Sequence, residues 1–347
     1  MAYVENDGDE YSAWVKQIAT GGKTQVVPRQ PRVVTFLTFS RDSEFLYFVR
    51  GPAQRGGPFT LFRVPAIGGL ETAVLEDIDS PVSFSPDGRE LVFMRGAGSD
   101  SHIVVAAARG GSERILATRK APLAFSYVAP DWSPDGTVVA ASATDRSNGW
   151  RSSMVLLPLD NGASRDLYSS DSRIGRVRWL PDRSGLLMIV SETLARQFAP
   201  WQPGSLLHFS GGSIWHVSYP GGRAEQLTSD LTEHDLCCLD ISQNRTRVAS
   251  VVNSLVSDLW IAAADHLNTP KQITSGNPVV SRHAWLADND TIVYRDLSGH
   301  LNAVHKDGRA FSLRVPDGHK VVGGVSTCGE RRYVIFHAVP GNNIWRV

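Results

Sequence analysis

Cysteine is scarce in this chain: there are three, and two of them, Cys237 and Cys238, are adjacent. Neighbouring strand residues point to opposite faces, so this pair is a poor disulfide candidate and free buried thiols are expected. No C-x-x-C or Cys/His spacing occurs, which leaves a zinc site without support. Net charge is missing as well. The 35 basic and 35 acidic residues cancel, so the composition carries no electrostatic footprint for nucleic acid or an anionic membrane. Long apolar runs are absent, since no segment approaches the roughly 18 apolar residues of a membrane span. The opening residues, MAYVENDGDEYSAW, have neither the basic region nor the apolar run of a signal peptide. The sequence therefore reads as soluble, whether alone or as a soluble piece of a larger anchored protein. Helical periodicity is lacking too: nowhere do apolar residues recur at helical spacing between a cap and a closing glycine.

What is present is a repeat. An apolar residue, a polar turn and a β-rich run recur in LTFSRDSEFLYFVRG, VSFSPDGRELVFMRG, PDWSPDGTVVAASAT, VRWLPDRSGLLMIVS, LDISQNRTRVASVVN, HAWLADNDTIVYRDL and GGVSTCGERRYVIFH. The anchors are Phe39, Phe84, Trp132, Trp179, Ile241, Trp285 and Val325. Most intervals are about 40 to 48 residues, a period that belongs to propeller blades. Each unit has a second half in which a strand, a Gly-rich turn and a last strand follow, as in TLFRVPAIGGLETAVL and SIWHVSYPGGRAEQLT. Glycine supplies the positive φ of a tight hairpin there, and the flanking strands are rich in Val, Ile, Leu and Trp. Four short strands per unit follow, and such sheets limit their exposed edges by packing radially. The expected fold is an all-β propeller of four-stranded antiparallel blades, with seven blades favoured and eight the alternative.

On this pattern the whole chain is one propeller. A partial first unit covers about 1–28, complete units about 33–76, 80–119, 128–170, 174–230, 235–276 and 280–316, and a partial last unit about 320–347. One interval is too long, and its surplus, residues 192–213, reads as an inserted loop between the second and third strands of a blade.

The S-P-D-G hairpins at Ser85–Gly88 and Ser133–Gly136 resemble the WD40-like repeats of TolB-type propellers. So do the third strands SDLWIAAAD and NIWRV and the fourth strands PKQITSG and AEQLTSD. AWVKQIATGGKTQVV, GRVRWLPDRSGLLM and YPGGRAEQLTSDL are similar, more closely, to the propeller modules of bacterial serine/threonine kinases and related regulators. The resemblance covers nearly the whole chain. It implies a periplasmic or extracytoplasmic location and a link to a kinase domain in a longer chain. Three copies depart from the pattern: Gln243-Asn244, Ala287-Asp288 and Thr327-Cys328 stand in place of Pro-Asp.

The repeat aspartates Asp42, Asp87, Asp135, Asp182 and Asp288 suggest a carboxylate ring, but the surrounding composition is that of a type I turn fastened by its aspartate. ENDGDE at 5–10 lacks the spacing and terminal Glu of a calcium loop. No G-x-S-x-G occurs, and the histidines lack zinc spacing. The paired glycines at 21–22, 68–69, 110–111 and 221–222 are hairpin turns and not phosphate loops. Trp14, Trp215, Trp260 and Trp345 recur at one third-strand position, where packing is expected.

Function is then expected in the loops that lead into the first strand of each blade. These loops mix charge with aromatics, which suits a protein, peptide or small ligand better than a polyanion. The candidate binding residues are Asp79, Arg119, Lys120, Tyr127, Arg173, Arg176, Glu233, His234, Arg282 and His283. No catalytic or metal-ligating residue is expected, nor a nucleic-acid partner or membrane insertion. The leading expectation is a non-enzymatic binding or sensing module of a bacterial regulatory protein, without cofactor. The alternatives are a lactonase-like hydrolase with calcium in the central channel, or the propeller gate of a peptidase without its catalytic domain.

Overall fold

The computed structural model describes residues 1–347 except 8, 52–56, 148–150, 161, 192–211, 229–233, 243–246, 253–257, 266–267, 276–282, 297–298, 340–342 and 347. The chain forms two compact units, Met1–Asn253 and Ser254–Val347. Among the described residues every regular element is a strand. None forms a helix long and apolar enough to cross a membrane.

The first unit opens with a three-stranded sheet of Ala2–Asp7, Glu10–Lys16 and Lys23–Gln30. Four-stranded antiparallel meanders follow in chain order. The first is Val34–Phe39, Phe45–Arg50, Thr60–Pro65 and Thr72–Glu76. The second is Ser83–Phe84, Glu90–Ala97, Asp100–Ala107 and Arg114–Lys120. In the third meander the first strand is in two pieces, Leu123–Phe125 and Asp131–Trp132, both paired to Val138–Asp145. Arg151–Pro158 and Arg165–Ser170 complete that sheet. The fourth runs Arg173–Trp179, Gly185–Ser191, Gly212–Ser218 and Ala224–Gln226. The hairpin His234–Ile241 with Val248–Val252 begins the next repeat, and it touches the fourth sheet through the Gly212 and His234 pair. Most of the expected insertion, 192–211, lies outside the described residues.

The meanders stack face to face, and the second strands show why. In Glu90–Ala97, Leu91 and Phe93 pack with Tyr47, Val49, Leu61 and Leu75 of the preceding sheet. Val92 and Met94 point the other way, onto Val139, Ala141, Val155 and Leu157 of the following one. Strand alternation thus sends successive residues into two different cores, so Leu91–Met94 is apolar at every position instead of every second one. Met154 and Leu156 repeat the arrangement against Leu186, Met188 and Val190. Each such residue contributes about 1.5–3 kcal/mol by burial, an upper bound set by the extended-chain reference. Four-stranded meanders stacked in sequence order, with first strands side by side, are the blades of a β-propeller.

The second unit contains the pair Trp260–Ile261 and Lys271–Gln272, a four-stranded sheet and a three-stranded one. The four-stranded sheet is Ala284–Trp285, Thr291–Arg295, Leu301–His305 and Ala310–Ser312. The three-stranded sheet is Lys320–Cys328, Tyr333–Val339 and Asn343–Arg346. Val293, Leu301, Val321, Val334 and Phe336 join these last two sheets in one core.

The repeat turn is uniform where its sequence is not. Ser43, Gly88, Gly136, Arg183 and Asn289 each donate their backbone N–H to the carbonyl three residues earlier, at 2.9–3.1 Å. All five adopt positive φ, between 56° and 75°. Asp42, Asp87, Asp135, Asp182 and Asp288 accept the N–H two residues on, at 3.0–3.3 Å. The carboxylates fasten the turns, and the turn survives where glycine is replaced.

Candidate functional site

Two clusters occupy the first strands of the Met1–Asn253 unit, one at each end. The lead-in end holds three of the expected residues. Asp79 precedes the second blade, and its Oδ2 accepts the Gly96 N–H at 2.8 Å. Gly96 faces both groups: a Cβ there would lie 3.5 Å from Asp79 Oδ2 and from the Tyr127 hydroxyl, in ordinary contact with each. Tyr127 sits in the break between Leu123–Phe125 and Asp131–Trp132. Burial raises the Asp79 pKa above the usual carboxylate range. Burial, with the charge of Asp79, also raises that of Tyr127. Arg173 opens the fourth blade, where burial and the nearby Arg146 lower its pKa. Arg146 also acts on Tyr127, and it is a member of this cluster that the sequence reading missed.

The other end lies beside the repeat turns, one residue before each anchor. The anchor turns into the core between blades, with Phe84 and Trp132 4% and Trp179 5% exposed. The preceding residue points to the opposite face, where consecutive blades meet through polar contacts. Thr38 Oγ1 donates to the Val82 carbonyl at 3.3 Å. Ser83 Oγ donates to Asp131 Oδ1 at 2.9 Å. Arg178 Nη1 donates to the same Asp131 Oδ1 at 2.6 Å, while Asp131 Oδ2 accepts the Trp179 N–H at 2.7 Å. Arg178 Nη2 then reaches Asp240 Oδ1 at 2.7 Å. The result is a belt of bonds from blade to blade. Burial works against the Arg178 charge, but Asp131 and Asp240 outweigh it and hold its pKa above the ordinary value. Arg41, from the first repeat turn, reaches the belt by donating to the carbonyls of Phe84 and Ser85 at 3.1 and 3.3 Å.

The remaining expected residues scatter. Arg119 and Lys120 belong to the outer strand Arg114–Lys120 and not to a loop. Arg119 lies 3.8 Å from Asp166 and over the Phe125 ring. Arg176 is in the strand Arg173–Trp179, at a bulge between the paired residues Ile174 and Val177. Beside it, a Cβ on Gly175 would sit 2.5 Å from the Leu236 carbonyl, so only glycine admits that neighbouring strand. His234 is a strand residue, 9% exposed, with Nδ1 3.0 Å from Ser250 Oγ. His283 is exposed in the second unit. Glu233 and Arg282 lie outside the described residues.

Cys237 and Cys238 depart from expectation, because they form a disulfide. The alternation that would separate them is interrupted, since the register shifts between His234 and Leu239. Asp235 brings a ligand-type atom within 4.8 Å of both sulfurs, but a disulfide offers no thiolate to a metal. Among the described residues of the first-strand face, Asp131 and Asp240 share Arg178, and Arg41 acts on both carboxylates.

The belt has a sequence signal that the reading passed over. Thr38, Ser83, Asp131, Arg178 and Asp240 all stand immediately before an anchor. Period-two alternation puts that position opposite the buried anchor.

No protein-family model matches the chain, and no curated protein matches it in sequence. The chain is similar in structure to TolB from Acinetobacter baumannii, at 12% identity and TM-score 0.48, over 90% of this chain and 63% of that one. It therefore spans under two thirds of that protein's length. It is also similar to a putative TolB from Agrobacterium tumefaciens, at 16% identity and TM-score 0.48, over 87% and 88% of the two chains. A third similar structure is the oligogalacturonate lyase of Vibrio parahaemolyticus, at 12% identity and TM-score 0.48, over 94% and 93%.

Proposed function

We propose that this chain is a non-enzymatic binding module, and that its ligand docks on the face formed by the first strands of the Met1–Asn253 unit. The observation that carries this reading is the charged belt of Asp131, Arg178 and Asp240 with Arg41 and Arg176 beside it. Its polar groups converge from five successive repeats onto one face, as recognition requires. No nucleophile paired with a general base stands among them, as hydrolysis requires. Mixed charge with the aromatic Tyr127 at the far end suits a peptide or small ligand. The likeness of the repeats to kinase-linked propellers supports placing the module in a longer bacterial regulatory protein.

The test is a turnover assay with aryl esters, lactones and chromogenic peptides, each with and without added calcium. No turnover above buffer is expected. Hydrolysis that disappears in Arg178→Met or Asp240→Asn would overturn the reading and reinstate an enzyme.

A further inference from the structure

Arg178 and Arg41 each engage two guanidinium nitrogens: Arg178 on Asp131 and Asp240, Arg41 on two backbone carbonyls. Arg176 differs from both. Among the described residues its Nε is enclosed without a hydrogen-bond partner. No hydrogen bond or ion pair joins either Nη to a described residue, and the side chain is half-buried. Arg176 stands at the bulge between Ile174 and Val177, beside Gly175, where a Cβ would have no room against Leu236. An arginine that is neither paired nor released to open solvent is costly unless something else completes it.

The charge count says what would complete it. The groups that act on Arg176 are Arg178, Asp131 and Asp240. Those that act on Arg41 are the same three. Among the described residues of this cluster, three guanidiniums against two carboxylates leave a single positive charge. We propose that Arg176 anchors a site for one carboxylate group, held by its two Nη donors on the first-strand face. A carboxylate matches the planar fork with two oxygens and neutralises the surplus. A dianion such as hydrogen phosphate would overshoot it and meet the fields of Asp131 and Asp240. Burial and Arg178 pull the Arg176 pKa down to about 10, so it remains a cation at neutral pH.

This inference rests on the binding reading and deepens it. It is tested on the full chain with 15N-labelled arginine, following the Nε–Hε signal that Arg176→Lys removes. Sodium acetate is expected to shift that signal saturably. Acetamide, and sodium chloride at equal ionic strength, are expected not to. Two hexapeptides identify the source of the carboxylate: one has a free C-terminus and no acidic side chain, the other an amidated terminus and one internal glutamate. Affinities of the parent and the variants, which lack that signal, are compared by isothermal titration calorimetry: binding of acetate or either peptide, weakened about tenfold or more in Arg176→Gln and partly kept in Arg176→Lys, supports the site. Equal response to chloride, no saturable response to any of the three, or tighter binding of phosphate than acetate overturns it. A peptide that binds equally well to Arg176→Gln refutes the carboxylate site and leaves the binding reading standing. Ester or lactone turnover in the assay above refutes the binding reading instead.

Discussion

The two ends of the first strands handle buried charge in opposite ways. Beside the repeat turns, Asp131 is 7% exposed in its side chain and is met by a serine hydroxyl, a guanidinium and a backbone N–H. Its charge is compensated by three groups, one from the preceding blade and two from the following one. At the lead-in end, Asp79 is also withdrawn from water, but its carboxylate accepts a backbone N–H, that of Gly96. Burial dominates there and favours the neutral acid. One end is a fastening between blades with a single cation to spare. The other is a group whose charge state responds to its surroundings, next to the phenol of Tyr127.

The sharpest way to break this contrast is to remove the fastening. Asp131→Ala leaves Arg178 half-paired and the Trp179 N–H and Ser83 hydroxyl without their acceptor. Removing one partner of a buried pair costs about 3–5 kcal/mol. Arg178 keeps 22% of its side chain exposed, so the lower end of that range is expected by equilibrium urea unfolding. Replacing both partners, as in Asp131→Leu with Arg178→Met, removes the unpaired charge and is expected to recover part of the loss. A single-variant cost below about 1 kcal/mol, the size of an exposed pair, would show that the belt does not hold the blades.

How the belt escaped the sequence reading is instructive. Phe84, Trp132 and Trp179 announced the repeat because burial between blades demands a large apolar side chain at one position. The fold was legible for that reason: the same demand recurs in every unit. Ser83, Asp131, Arg178 and Asp240 obey no shared composition, because each needs only to complement the next, so no single copy resembles another. Their common register before the anchor was visible, but which residue meets which depends on the stacking of sheets about 48 residues apart, as from Ser83 to Asp131. Arg176 is expected on a loop, and it stands on a strand, at a bulge whose one mark in the sequence is the neighbouring Gly175. Cys237 and Cys238 were read by regular alternation, and their strand is irregular at that point.

A second test sharpens the contrast through pH. Asp79 has a folded pKa raised above its ordinary value of 3.8. Between the unfolded and folded pKa the native state holds the extra proton, so stability falls as pH rises through that window. Asp79→Asn keeps an acceptor for the Gly96 N–H and removes the ionisation. The variant is expected to be more stable than the parent at pH 7, with the two converging below pH 3.8. Parallel stability profiles from pH 3 to 7 would show that Asp79 is compensated as Asp131 is.

The smallest effect is expected at the repeat turns. Asp87 accepts the Ser85 hydroxyl at 2.6 Å and the Arg89 N–H at 3.0 Å, and these bonds lower its pKa. The sign is the reverse of that for Asp79: its contribution is present above pH 3.8 and is lost as pH falls through the lowered folded value. The carboxylate is exposed, however, so water replaces it readily. In Asp87→Ala the Gly88 N–H still reaches the Ser85 carbonyl at 2.9 Å, and the Glu90 N–H still reaches the Ser85 hydroxyl at 3.0 Å. Ser43, Arg183 and Asn289 already hold the same turn without glycine. Urea unfolding at pH 7 is therefore expected to rank Asp87→Ala well behind Asp131→Ala. Acetate binding at Arg176 should be unchanged. A loss at Asp87 as large as that at Asp131 would mean that the turns, and not the face behind the anchors, secure the blades to one another.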